Sequence, residues 1–271
     1  MSLRIQSNIE AMNAHRQLVN TSDQMSKSME RLSSGYRINR AADDAAGLAI
    51  SEKLEAQIGG LDQAQRNAQD AVSLVQTAEG AMNEVHSMLQ RVRDLAVQFN
   101  NGTLSTSDKA AITAEVAQLC AEINRIAGQT KFNNIAVLSG GGTITFQIGA
   151  GDGETITVKA ASLFGGSTAD IDSSIFNFSG TVTLASIDAA IDNVSQERST
   201  FGSVQNRLEH TLNNLASYEE NLQASESRIK DVDMASEMVN FTKYQILQQA
   251  GTSMLAQANQ APQSVLSLLR G

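Results

Sequence analysis

MASEMVNFTKYQILQQAGTSMLAQANQAPQSVLSLLRG, residues 234–271, closes the chain. Apolar residues recur through it at helical spacing: Met234, Met238, Phe241, Leu247, Met254 and Leu255, then Val265, Leu268 and Leu269. After Ser236 only Glu237, Lys243 and Arg270 carry charge, whereas a helix facing solvent normally has a well-charged outer side. Glutamines stand there instead, at 245, 248, 249, 257, 260 and 263. An uncharged amide tolerates burial when its hydrogen bonds are met; an unpaired charge does not. The stretch reads as a helix to be surrounded by protein, either by copies of itself or, on this tail alone, as one helix of an ordinary bundle.

The rest of the composition also favours long helices. Pro262 is the only proline in 271 residues, against an average usage of about 5%. There is no Trp, and aromatics make up 4%. Without proline a helix can run on; without aromatics its seams are thin, built of Ala, Leu, Ile and Val. A formal net charge of −9 disfavours nucleic acid, because neutralising phosphates needs clustered Lys and Arg. No run reaches the roughly 18 apolar residues of a bilayer span, so membrane insertion is not expected. The stretch MSLRIQSNIEAMNAHRQ has no continuous apolar core and no small-residue cleavage site. Export, where it occurs, is expected to need no cleaved secretory signal.

Residues 3 to about 32 show the first helical pattern, with Leu3, Ile5, Ile9, Met12, Val19, Met25, Met29 and Leu32 at steps near 3.5. Ser33-Ser34-Gly35 breaks it, and residues 36–44 read as a structured polar connector in which Asp43 or Asp44 caps the next helix. From about Ala45 to Phe99 runs the longest pattern. Its seam is Leu54, Ile58, Leu61, Ala68, Val72, Val75, Met82, Val85, Leu89, Val92, Ala96 and Phe99, interrupted at Gln65 and Glu79 with a stammer there. About 55 residues at 1.5 Å each make a rod of roughly 80 Å. A further helix is expected from about residue 106 to Ala127, with Ile112, Val116, Leu119, Ile123 and Ile126 inward. Residues 143–149 (TITFQIG) and 154–160 (ETITVKA) alternate in strand fashion around Ala150-Gly151-Asp152-Gly153, a hairpin signal. Helical period resumes near Ala185. The expected fold class is mainly α: an elongated antiparallel helical hairpin or coiled coil, with a small β-hairpin region at about 140–180 at one end.

No catalytic chemistry emerges. His15, His86 and His210 lack a second His or Cys at metal spacing, and Glu84-Val85-His86 is not the HExxH of a zinc protease. The pairs Asp170/Asp172 and Asp231/Asp233 lack the glycine and distal Glu of a calcium loop. Cys120 is alone, so no intrachain disulfide forms, and with no adjacent His or Lys it reads as a small buried hydrophobe. No enzyme activity, cofactor or metal is expected.

Both ends resemble bacterial flagellin. The matching amino-side residues are Arg31-Leu32-Ser33-Ser34-Gly35, Arg37-Ile38-Asn39, Asp43-Asp44-Ala45-Ala46-Gly47-Leu48-Ala49-Ile50, Gln76-Thr77-Ala78-Glu79-Gly80-Ala81 and Leu89-Gln90-Arg91-Val92-Arg93-Asp94-Leu95-Ala96-Val97-Gln98. On the carboxyl side stand Gln205-Asn206-Arg207-Leu208, Glu226-Ser227-Arg228-Ile229, Asp231-Val232-Asp233-Met234-Ala235 and Met254-Leu255-Ala256-Gln257-Ala258-Asn259. The resemblance covers roughly residues 1–140 and 185–271; Cys120 departs from the usual pattern.

The resemblance implies three regions: an inner coiled-coil domain pairing residues 1–33 with 234–271, a connector at 34–44, and an outer helical domain at 45–233. Assembly is then expected to use Ile5, Ile9, Met12, Met238, Phe241, Leu247, Leu255, Leu268 and Leu269 of the inner coil. It further implies a structural subunit that self-assembles into the extracellular flagellar filament for motility. The implied partners are other copies of the chain, the flagellar export apparatus, an export chaperone, the filament cap and a host Toll-like receptor. Receptor contact is implied for Gln90, Arg91, Leu95, Gln98 and Glu115. Arg91 and Leu95 lie four residues apart and share a helix face. With Val92, Ala96 and Phe99 inward, Leu95 is expected at the seam's edge. The alternative is a hook–filament junction protein, which shares the terminal helices; the match through residues 91–98 favours flagellin. An enzyme or a membrane-tethered coiled-coil signalling protein is the remaining class. Because a lone helix of this length is marginal in water, the termini are expected to become helical only on assembly.

Overall fold

The structure, a computed structural model, describes residues 8–138, 142–160 and 183–270, with side chains as far as residue 260. Among the described residues the chain is mainly α. Its helices are α1 (Ile9–Ser34), α2 (Ala45–Phe99), α3 (Thr106–Gln129), α4 (Leu184–Lys230) and α5 (Met234–Arg270). Two antiparallel hairpins join them: β1 (Lys131–Phe132) with β2 (Ile135–Ala136), and β3 (Thr143–Gln147) with β4 (Thr155–Lys159). The chain divides into two compact units, Met1–Ala56 with Asn221–Gly271, and Gln57–Glu220. The division falls inside α2 and α4, so the first turns of α2 and the last turns of α4 group with the connector, where the sequence pattern placed the boundaries at its two edges.

The Gln57–Glu220 unit is held by one apolar core from α2, α3, α4 and the β3–β4 hairpin. On α2 the fully buried positions include Leu61, Ala64, Ala68, Ala71, Val75, Ala78, Met82, Val85, Leu89, Val92, Ala96 and Phe99. Their spacing alternates threes and fours without a break, the heptad signature. The expected stammer is therefore absent. Ala64, Ala71 and Ala78 fill the seam positions one residue ahead of Gln65, Val72 and Glu79, because a small apolar residue serves where helices approach closely. Gln65 instead donates to Glu219 from the seam's edge, and Glu79 stands 3.9 Å from Arg198. Gly59 and Gly60 lie within unbroken helix; a Cβ at Gly60 would stand 2.9 Å from that of Ala150, so the hairpin turn lies directly on α2 there.

Helix α3 begins at Ser105, whose hydroxyl accepts from Asp108 N (3.2 Å) while the Asp108 carboxylate accepts from Ser105 N (3.1 Å). This reciprocal cap satisfies two orphan donors, and the hydrogen bonds from Ser105 hold the Asp108 carboxyl below its ordinary range. Its inward residues are Ile112, Val116, Cys120, Ile123 and Ala127. Cys120 and Ala127 take the places expected for Leu119 and Ile126, which pack half-buried beside them. Burial pushes the Cys120 thiol up to about 12, which leaves it essentially unionised and unreactive at neutral pH.

The expected hairpin forms as β3–β4, with Gln147 opposite Thr155 and Thr143 opposite Lys159. Ile156 and Val158 point into the core and alternate with exposed threonines. Gly153 takes φ +86°, which an L side chain rarely adopts, and Glu154 folds back to accept from Gly151 N (3.0 Å). The β1–β2 hairpin was not anticipated. Its turn is Asn133-Asn134, with φ of 45° and 66°, the left-handed pair of a two-residue hairpin loop. The part of the expected β region beyond residue 160 lies outside the described residues.

In the other unit α1 and α5 pack antiparallel. Asn8 Nδ2 donates to Ala258 O (2.7 Å), Gly251 meets Leu18, and Ser28 donates to Glu237. The connector is structured. Gly35 ends α1 at φ +77°, and its N–H donates to Arg31 O (2.9 Å). Val232 N donates to Gly35 O (3.0 Å) and Arg37 N to Lys230 O (2.7 Å), flanking a Tyr36–Asp231 bridge. The two expected caps divide the labour. Asp43 accepts from the backbone of Asn39 and Arg40, and Asp44 accepts from Gly47 N (2.9 Å) to start α2. A Cβ at Gly47 would stand 2.7 Å from Ile38 Cδ1 and 2.5 Å from Asp44 Oδ2, so a side chain there would push both aside and disturb that cap.

Candidate functional site

The face that α1 and α5 turn to each other alternates large apolar and aromatic residues with small and polar ones. On α1 it comprises Ala11, Ala14, Leu18, Thr21, Met25, Ser28 and Leu32; on α5, Glu237, Phe241, Tyr244, Gln248, Gly251, Leu255 and Ala258. Both series step by threes and fours. Thr21, Ser28 and Glu237 are buried, and Arg31 lies 3.9 Å from the Glu237 carboxylate, which also accepts the Ser28 hydroxyl. A Cβ at Gly251 would lie 3.1 Å from Leu18 Cδ1, which shows how tightly the helices approach.

Ten further large apolar residues point the other way. Ile9 (53%), Met12 (69%), Val19, Met29, Met234, Met238, Val239, Ile246 (61%), Leu247 and Met254 (65%) are all exposed. Met238, Val239, Thr242, Lys243 and Ile246 line an open apolar groove along α5. Of the residues expected to serve assembly, Phe241 and Leu255 lie on the paired face, and Ile9, Met12, Met238 and Leu247 lie exposed on outer faces. Ile5 and the side chains of Leu268 and Leu269 lie outside the described residues. Covering ten such half-exposed side chains is worth on the order of 10 kcal/mol before the entropy of association is subtracted.

The second candidate surface lies on α2 and α3. Arg91 and Glu115, 24 positions apart, form an exposed ion pair in which Glu115 Oε1 accepts from Nε (3.0 Å) and Nη2 (2.7 Å). Gln90 and Gln98 are exposed on the same helix, Gln90 beside His86 Nε2 at 2.9 Å. Leu95 does not join them. It is 2% exposed and belongs to the core with Val92 and Ala96, so the apolar anchor expected beside Arg91 is not available at the surface. The inward stripe of α2 is two residues wide at this level, which single-seam counting missed. Arg93 pairs with Asp188 of α4 (2.6 Å), and that hydrogen bond raises the guanidinium's proton affinity.

Among the described residues no group of three or more His, Cys, Asp or Glu side chains is placed to hold a metal, and no helix is long and apolar enough to cross a membrane.

Comparison with known proteins agrees with this arrangement. The model of the bacterial flagellin N-terminal helical region matches residues 5–143, and that of the C-terminal helical region matches residues 184–269. The chain is 53% identical to a flagellin of Halalkalibacterium halodurans over 98% of its own length and 99% of that protein's. It is 47% identical to a flagellin of Bacillus subtilis over 99% and 100% of the two chains. A solved putative flagellar hook-associated protein of Vibrio parahaemolyticus superposes on 70% of this chain and all of its own, with TM-score 0.58 at 15% identity, a likeness of fold alone. With both terminal regions matched and near-complete coverage of its relatives, the chain belongs to the bacterial flagellin family.

Proposed function

We infer that the protein is a structural subunit of the bacterial flagellar filament, and that it assembles by covering the outer faces of the α1–α5 pair with neighbouring copies. The observation that carries the assembly surface is the set of ten large apolar residues left exposed on the outer faces of that pair. Covering those outer faces with neighbouring copies is expected to stabilise both helices against local opening. Purified protein should form filaments in electron micrographs. Backbone hydrogen exchange in α5 should be fast in the free subunit and slow in the filament. Equal protection in both states would remove this surface from assembly. The same reading places the subunit outside the cell, delivered by the flagellar export apparatus with a chaperone on its termini and added beneath a cap. Nothing in the chain's residues favours the hook–filament junction.

The proposed contact with a host Toll-like receptor rests on family likeness and uses Gln90, Arg91, Gln98 and Glu115, without Leu95. An exposed, planar guanidinium held by a carboxylate is the kind of group that dominates interface energies when a partner buries it. Arg91→Ala and Glu115→Ala subunits, shown by circular dichroism to be folded, are expected to lose roughly ten- to a hundredfold in receptor activation, which corresponds to about 1–3 kcal/mol. Folded variants that signal like the parent would put the contact elsewhere.

A further inference from the structure

Methionine is unevenly placed on the described surface. Met12 (69%), Met254 (65%), Met29 (51%), Met234 (49%) and Met238 (49%) are exposed, and all five lie on α1 and α5. The methionines of the Gln57–Glu220 unit are sheltered: Met82 is fully buried and Met88 packs half-buried against the core. Met25, on the paired face of α1, is half-buried as well. The Asn8–Ala258 and Gly251–Leu18 contacts set Met12 at the level of Met254, and the Ser28–Glu237 contact sets Met29 at the level of Met238. The exposed thioethers thus recur at two levels along the pair, among the isoleucines and valines of its outer faces.

We propose that these five methionines form an oxidation site through which peroxides control assembly of the subunit. In the reaction the thioether sulfur attacks a peroxide oxygen. The O–O bond breaks, an S–O bond forms, and the peroxide leaves as water, so that the sulfur loses two electrons and the peroxide gains them. The product sulfoxide is a polar, hydrogen-bond-accepting group on a side chain that was apolar. A face carrying sulfoxides loses its reason to leave water, while the core of the other unit, with Met82 enclosed, is untouched. Cys120 takes no part, since its buried thiol is held unionised. The effect on assembly rests on the reading that the outer faces of the α1–α5 pair are buried between subunits; the order in which the methionines oxidise does not.

The test uses the full-length chain and dilute hydrogen peroxide. Peptide mapping by mass spectrometry of the free subunit should show the five exposed methionines oxidising roughly tenfold or more faster than Met82, with Met25 between. In preformed filaments the five should be protected. The oxidised subunit should fail to sediment as filaments under conditions that polymerise the untreated one. Methionine sulfoxide reductases of both stereospecificities should restore polymerisation, and dithiothreitol alone should not. Oxidation of Met82 as fast as Met12 and Met254, or a treated subunit that polymerises like the untreated one, overturns the proposal alone. An untreated subunit that never polymerises removes the assembly reading and the proposal with it.

Discussion

A subunit lacking residues 234–271 is expected to remain monomeric while its Gln57–Glu220 unit melts as in the parent. The deletion removes α5 and six of the ten exposed large apolar residues on the pair: Met234, Met238, Val239, Ile246, Leu247 and Met254. It also strips the partner from α1, whose 26 residues are marginal as a lone helix. Nothing in the core of the other unit is touched, since its buried apolar residues lie between Leu61 and Leu215. Sedimentation and circular dichroism read the two consequences separately. Normal filaments from the truncated chain would show that assembly runs through another surface; loss of the cooperative melt would show that α5 supports the larger unit.

Leu89→Ala should have the opposite profile. Leu89 is fully buried in the α2 seam, with Val85 four residues before it and Val92 three after. Truncation removes its transfer energy and leaves a cavity that long, laterally packed helices cannot collapse around, at a cost of about 3 kcal/mol. For a unit of this size that corresponds to a fall of roughly 6–12 °C in Tm. Met254→Ala, 65% exposed in the free subunit, should leave the melt unchanged. A Leu89→Ala melt within 2 °C of the parent would mean that the α2 seam is not the spine of this unit.

Much of the architecture is legible in the residues because so few signals compete. With proline absent before position 262, nothing stops α2 between its Asp44 cap and Asn100-Asn101-Gly102, and its ends fall where the pattern puts them. The β3–β4 hairpin is equally plain, since alternation and a Gly-rich turn coincide. Errors arise where alanine or glycine does the packing. Apolar periodicity weights a residue by size, so Ala64, Ala71 and Ala78 went unnoticed and an interruption was read at Gln65 and Glu79. On the terminal helices large apolar residues occupy both the paired and the outer faces, so size alone does not mark which stripe meets its own chain. Which stripe meets its own chain depends on how closely two backbones can approach, and that is a property of the pair. Leu95 was misjudged at a level where two adjacent columns, not one, face inward. The Asn133-Asn134 turn did carry a readable signal, two residues tolerant of positive φ between short apolar pairs, but its strands are only two residues long.

The antiparallel pairing of α1 with α5 also sets a clock on biosynthesis. Ser28 and the Glu237 it donates to are 209 positions apart. At translation speeds of about 5–20 residues per second, α1 leaves the ribosome roughly ten to forty seconds before its partner exists. The heptads of α2, α3 and α4 meet over shorter separations and can close first, as loop-closure entropy favours. Helix α1 is thus made long before, and docked after, the elements that separate it from α5. For that interval Ile9, Met12, Val19 and Met29 hang from a nascent chain with nothing of their own to fold against, so the waiting helix is the segment of this polypeptide most in need of an escort.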